Sequence, residues 1–169
     1  MLILLSCTHE GRVGISLNGN WYMPQNEAIP SFVKAAETEL QFNIGWFAHP
    51  VLVDGTYPFV MREKVWNEWV ARDARIYCYK VNRAFFQITL KSARQGFLHS
   101  RLPEFSAEDQ TEIAKSADFL GINHYIVNLV FPKEGNIDVV SYFEDSDTGS
   151  IQDSSWYRYV CTMYVAVNR

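Results

Sequence analysis

The sequence predicts an α/β fold built on parallel strands, and two stretches carry that expectation. The first is Val13 to Asn18, a compact apolar run followed by a loop and a helical pattern over Pro30 to Phe47. A strand, a loop and a helix with another strand still to come imply a crossover and parallel pairing. The second is Ser116 to Tyr125, in which Phe119, Leu120 and Ile122 are apolar and Gly121 lets another backbone come close. Asn123 and Tyr125, two apart, point to the same side of an extended chain. An apolar strand that ends in amide and phenol groups suits the carboxyl end of a parallel strand, where α/β enzymes carry their sites. The plainer reading is a strand end whose polar groups bond nearby backbone.

Taken in order, Asn18-Gly19-Asn20 is a turn signal that closes the first strand. Trp21-Tyr22-Met23-Pro24 reads as an aromatic loop punctuated by proline. In the helix after this loop, Val33, Ala36, Leu40, Ile44 and Phe47 recur at steps of three and four, which assigns them to one face. Lys34, Glu37 and Gln41 occupy the other, and Pro50 is expected to end the helix. Asp54 to Pro58 forms a turn and Phe59 to Val65 a short helix. From Trp66 to about Gln95 no period holds; a strand over Ile76 to Val81 and a helix over Arg83 to Arg94 are the nearest assignments. Ser106 with Asp109 three residues later matches a helix-capping arrangement. The helix it starts ends near Lys115 and feeds the strand that closes at Tyr125. Glu144-Asp145-Ser146-Asp147-Thr148-Gly149 reads as an acidic loop. Its glycine offset is wrong for a calcium loop, and no glutamate closes it. No internal repeat is visible.

Bulk properties exclude several classes. At 169 residues the chain has the length of one ordinary domain. Hydrophobic residues at 48% and aromatics at 15% argue for a packed core. A net charge of -4 implies no nucleic acid partner. No stretch approaches the roughly 18 continuous apolar residues of a membrane span. The apolar start at Met1 is shorter than the roughly 7–15 residues of a signal-peptide core and has no basic residue before it, so no export signal is read. Cys7, Cys78 and Cys161 are odd in number and lack any CxxC pairing, so no zinc site or disulfide framework is expected.

Three blocks together resemble glycoside hydrolase family 1, the β-glucosidase, lactase and myrosinase group. Gly11 to Asn18 with Trp21-Tyr22-Met23-Pro24 is similar to the family's fifth barrel strand and the loop after it. Ala35-Ala36-Glu37, Leu40-Gln41-Phe42, Gly45 to Pro50, Tyr57-Pro58 and Val60-Met61-Arg62 resemble the next helix and its exit. Ser100 to Phe105 with Ala117 to Tyr125 is similar to the sixth strand and its approach. The resemblance implies an incomplete fragment of a (β/α)8 TIM barrel, family-like over 11–65 and 92–156 and unassigned over 1–10, 66–91 and 157–169. A whole barrel takes about 250 residues, rarely fewer than about 200. The implied origin is a partial translation of a longer gene, with intron-like or misjoined sequence at its ends and middle; the alternative for the middle is a lineage-specific insertion forming a surface excursion.

By this resemblance the chain is part of a retaining β-glycosidase that acts on a β-glycoside or oligosaccharide. Such enzymes set two carboxyl groups about 5–5.5 Å apart, one as acid/base and one as nucleophile. In the family the acid/base lies in a Thr-Phe-Asn-Glu-Pro motif on strand four and the nucleophile in a Thr-Glu-Asn-Gly motif on strand seven. Neither motif is present here. Asn26-Glu27, Asn67-Glu68 and Glu134-Gly135-Asn136 are superficial echoes, each read as a solvated surface acid. No catalytic residue is therefore assigned and the chain alone is expected to be inactive. Substrate-binding roles fall to Asn123 and Tyr125, the latter as the residue that steadies the nucleophile, and to Asn18 and Trp21 on the leaving-group side. No cofactor or metal is implied. The alternative is a non-catalytic, klotho-like module that binds sugar or protein. A partial barrel is also expected to leave two open sheet edges. Animal members are often secreted or membrane-anchored, which leaves the compartment open.

Overall fold

A computed structural model describes residues 12–65, 95–97, 101–136 and 138–153, and the backbone of 163–168. The expected strand at Ile76 to Val81, the helix at Arg83 to Arg94, Glu68 and all three cysteines lie outside the described residues.

Two three-stranded sheets organise the described chain. In the first, β1 (Gly14–Asn18) pairs in parallel with β3 (Phe119–His124), in a register that sets Gly14 against Phe119 and Asn18 against Asn123. Hydrogen bonds hold this register at both ends. At the start, Val13 N–H donates to Asp118 Oδ2 at 2.7 Å and Asp118 N–H to the Val13 carbonyl at 2.6 Å. At the far end, Gly19 N–H donates to the Asn123 carbonyl at 2.9 Å. The other side of β3 is covered by β6 (Met163–Asn168), which runs antiparallel. β3 is therefore the interior strand of this sheet, and β1 and β6 form its two edges.

In the second sheet, β2 (Trp21–Pro24) pairs in parallel with β4 (Val127–Pro132), and β5 (Thr148–Ile151) runs antiparallel beside β4. Trp21 to Pro24 is thus a strand and not the aromatic loop that proline suggested. Pro24 occupies the last position of β2, and the ladder resumes with Gln25 N–H donating to the Val130 carbonyl at 2.8 Å. A proline at a strand end removes no interior bond.

The helix begins with proline at its first turn, α1 (Pro30–Leu40), where the missing N–H has no intrahelical partner to lose. It does not stop at Pro50. A π-helical turn (Gln41–Gly45) leads into α2 (Trp46–His49), and a second π turn (Pro50–Asp54) comes next. Pro50 opens that second turn inside the helical path, where it has no N–H to donate and the wide turn takes up the change in bonding. The helical path ends at Gly55, whose φ of 78° is left-handed and whose N–H donates to the Pro50 carbonyl at 3.0 Å.

The expected apolar face is only partly right, and the π turns account for Phe47, which follows the first of them, but not for Val33, which precedes both. Each wide turn adds a residue and rotates the later side chains away from the 3.6 period. Ala36 is buried and Leu40 packs on the core, but Val33 is 46% exposed and Phe47 51% exposed. Ala35 and Ala36 bring α1 close to Tyr22 of β2 and Val130 of β4. A second cluster of Phe42, Met61, Val65 and Leu102 takes in Trp46 where the period had pointed to Phe47.

The turn at Asp54 to Pro58 and the helix α3 (Phe59–Val65) form as expected. So does the cap of α4 (Ala107–Ile113): Asp109 N–H donates to Ser106 Oγ at 3.1 Å, and Ser106 N–H to Asp109 Oδ2 at 2.9 Å. The acidic tract is ordered into α5 (Tyr142–Asp145) and the start of β5, not a loop. Ser141 Oγ caps α5 by accepting from Phe143 N–H at 3.3 Å. Asp145, 3% exposed, pairs with Arg101 at 2.7 Å, which draws this acid inward.

Candidate functional site

The site lies where β1 and β3 end. Both strands point their carboxyl ends the same way, and their last residues bring Asn18 beside Asn123. Asn123 Nδ2 donates to Asn18 Oδ1 at 3.2 Å. Asn18 Nδ2 remains as a donor, and Asn123 Oδ1 is enclosed without a hydrogen-bond partner among the described residues. An enclosed amide oxygen with no donor is costly, so such atoms mark places where water or ligand belongs.

Two backbone links hold the surroundings. His124 Nδ1 lies 3.1 Å from the Gly19 carbonyl. A carbonyl only accepts, so Nδ1 is the donor in this contact, and Nε2 is not engaged by it. Trp21 N–H donates to the Ile126 carbonyl at 3.1 Å, which brings the start of β2 against the residues just beyond β3. Trp21 is 52% exposed and Tyr125 39% exposed, so both present aromatic surface to solvent. The structure thus places Asn18 and Asn123 in direct contact, and Trp21 and Tyr125 on the segments that leave them. His124 was missed by sequence reasoning. Its signal was its place between Asn123 and Tyr125, but nothing local showed that its ring turns back to Gly19.

This arrangement can bind hydroxyl groups. Amides offer donor and acceptor together, and aromatic faces suit the C–H surface of a sugar. Among the described residues, β1 and β3 carry no carboxylate. Asp118, just before β3, is engaged at the opposite end by Val13. β6, which lies beside β3, carries no acid in Met163–Asn168. Glu27 and Glu134 are both exposed. Among the described residues no cluster of His, Cys, Asp or Glu could hold a metal ion.

The surface also carries a broader groove of about 880 Å³ lined by residues of α1 and α3, among them Val33, Glu37, Phe59 and Glu63. It includes neither asparagine, and its position on the helical side separates it from the strand ends.

Parallel strands whose carboxyl ends gather polar and aromatic groups, with helices between them, define a piece of a (β/α) barrel. The profile of Glycosyl hydrolase family 1 matches residues 4–166, and the chain belongs to that family. It is 35% identical to human lactase-like protein over 87% of this chain and 22% of that protein. To human lactase/phlorizin hydrolase it is 31% identical over 87% of this chain and 6% of the relative. Among solved structures, aphid myrosinase superposes with a TM-score of 0.66 at 26% identity, over 91% of this chain and 28% of that one. The chain therefore spans less than a third of each of these relatives, and its fold corresponds to part of their barrel. Among the described residues no helix is long and apolar enough to cross a membrane.

Proposed function

We propose that this chain contributes the strand-five and strand-six part of the sugar site of a retaining β-glycosidase of β-glucosidase type. Asn123 and Tyr125 contact the sugar being cleaved, and Asn18 and Trp21 its leaving group. The observation that supports this reading is the Asn18–Asn123 pair at adjacent parallel strand ends, with an acceptor on Asn123 that has no donor among the described residues. A sugar hydroxyl supplies that donor.

The chain by itself binds without cleaving. Both family glutamate motifs are absent, and the acid/base and nucleophile roles have no residue to fill them. In the complete enzyme, Tyr125 bonds the nucleophile and keeps it ionised, which places its effect on turnover more than on ground-state binding. The klotho-like alternative differs in one respect: its full reading frame lacks both glutamates, which sequencing the complete transcript decides.

The test is a titration of the purified chain with methyl β-D-glucoside, followed by the side-chain amide resonances of Asn18 and Asn123, beside a chromogenic glucoside assay. Both amides shift saturably and no product forms. Unmoved amides remove the binding role, and turnover abolished by changing one of the chain's own glutamates removes the claim of inactivity.

A further inference from the structure

We propose a second saccharide-contacting site, separate from the strand ends, in the cleft between the start of α3 and the segment leading into α4. Its cavity of about 210 Å³ is lined by Thr56, Tyr57, Arg62, Glu104, Phe105 and Gln110, with Leu102 and Pro103 behind. That volume is below the roughly 300–1,000 Å³ of pockets for drug-sized ligands, and it suits a ligand of one ring.

Three observations point to a ligand. Arg62 Nε is enclosed and its N–H has no acceptor among the described residues, although Arg62 lines a cavity where one could sit. A buried donor of a cation left unpaired is expensive, and the planar guanidinium is shaped to engage two neighbouring oxygens at once. Tyr57 and Phe105 stack with ring centres 4.7 Å apart, forming one apolar wall on the same cleft. Gln110 is oriented by donating from Nε2 to the Phe105 carbonyl at 2.9 Å, so its side-chain oxygen is left to accept.

Charge decides between ligand classes. Glu104 lines the same cavity as Arg62, so the lining carries charge of both signs and does not single out an anion. A neutral polyol meets donors and acceptors alike, and a sugar ring adds a C–H face for the aromatic wall. The cleft is also firmly built. Lys115 N–H donates to the Val51 carbonyl at 2.8 Å, which fastens the end of α4 to the second π turn. No residue of β1 or β3 takes part, so this site stands or falls apart from the proposed function.

The experiment is a two-dimensional proton–nitrogen titration of the intact chain with methyl β-D-glucoside, which follows the Arg62 Nε–H resonance directly. Sodium acetate and inorganic phosphate serve as anion probes. The expected result is a saturable shift of Arg62 Nε–H by the glucoside and none by either anion at the same ionic strength. Arg62→Gln and Gln110→Ala, read at the Phe105 ring, weaken the affinity, the first by about tenfold or more, as loss of a charged hydrogen bond implies. Asn123→Ala leaves the Arg62 shift unchanged. An Arg62 resonance that ignores the glucoside, that answers acetate or phosphate instead, or that loses its response in Asn123→Ala overturns the proposal.

Discussion

Gly55→Ala isolates how closely α4 must approach the end of the π-helical path. Gly55 has φ 78°, and a Cβ there would overlap the Gln110 carbonyl oxygen and lie 2.7 Å from Gln110 C and Cα. Two costs add. The left-handed backbone costs an alanine about 1–2 kcal/mol. Relieving the overlap means moving the α4 backbone, which gives up the bond from Lys115 N–H to the Val51 carbonyl, worth about 0.5–1.5 kcal/mol. The stiffer unfolded chain returns about 0.4–1 kcal/mol. The net loss is about 1–3 kcal/mol, or roughly 3–10 °C in Tm for a chain of this size. Gly96 supplies the control, because its φ is 81° but nothing lies within 4 Å of an added Cβ. Gly96→Ala carries the backbone strain alone and loses about 0.5–1 kcal/mol. Gly121→Ala carries neither burden, since its nearest neighbour is Ser16 Oγ at an ordinary 3.5 Å, and it stays within about 0.5 kcal/mol of the parent. Urea unfolding followed by circular dichroism measures all three. Equal losses at Gly55 and Gly96, or a loss at Gly121 to match Gly55, would refute the close-approach argument.

Asp145→Asn leaves the Arg101 guanidinium without its counter-charge in a site where the two side chains are 12% and 4% exposed. Breaking such a pair from one side costs about 3–5 kcal/mol, and replacing both partners by apolar residues restores most of it. Urea midpoints of the single and double variants check this; a single variant as stable as the double one counts against it. Tyr22 titrates at about 12, raised from the usual 10.0 first by burial and then by the charge of Glu39. Its contribution is complete below the unfolded value and is lost as pH rises from about 10 towards 12. Stability measured across that window falls less steeply in Tyr22→Phe than in the parent, and identical slopes would assign the alkaline loss elsewhere.

Local rules read several elements well. Ser106 and Asp109 announced a capped helix because both partners of the cap sit within four residues of each other. Phe59 to Val65 and the Asp54 turn were visible for the same reason. The apolar run ending in Asn123 marked a strand end, and Asn18 closed another. That the two asparagines would touch depended on a pairing between segments 105 residues apart, which no local pattern encodes. Trp21 to Pro24 was read as loop because proline and aromatics outweighed a partner that lies far along the chain. Phe47 was placed on the buried face because a 3.6 period was carried through a π turn that does not obey it. The acidic tract gave no hint that Asp145 turns inward, since only Arg101 makes that burial affordable.

What the amino-acid order carried by itself is the class of the fold, alternating strand and helix signals with a parallel sheet, together with a resemblance to a family neither of whose glutamate motifs occurs in this sequence. The strand and helix signals rest on neighbouring residues, and the family on matched blocks of sequence. Tertiary structure alone decided that Asn18 meets Asn123, that the end of the chain covers β3 in the antiparallel sense, and that Arg62 is enclosed beside a stacked aromatic wall. Each of these depends on backbone pairing or close packing across long stretches of chain, where the energy belongs to the contact and not to either segment.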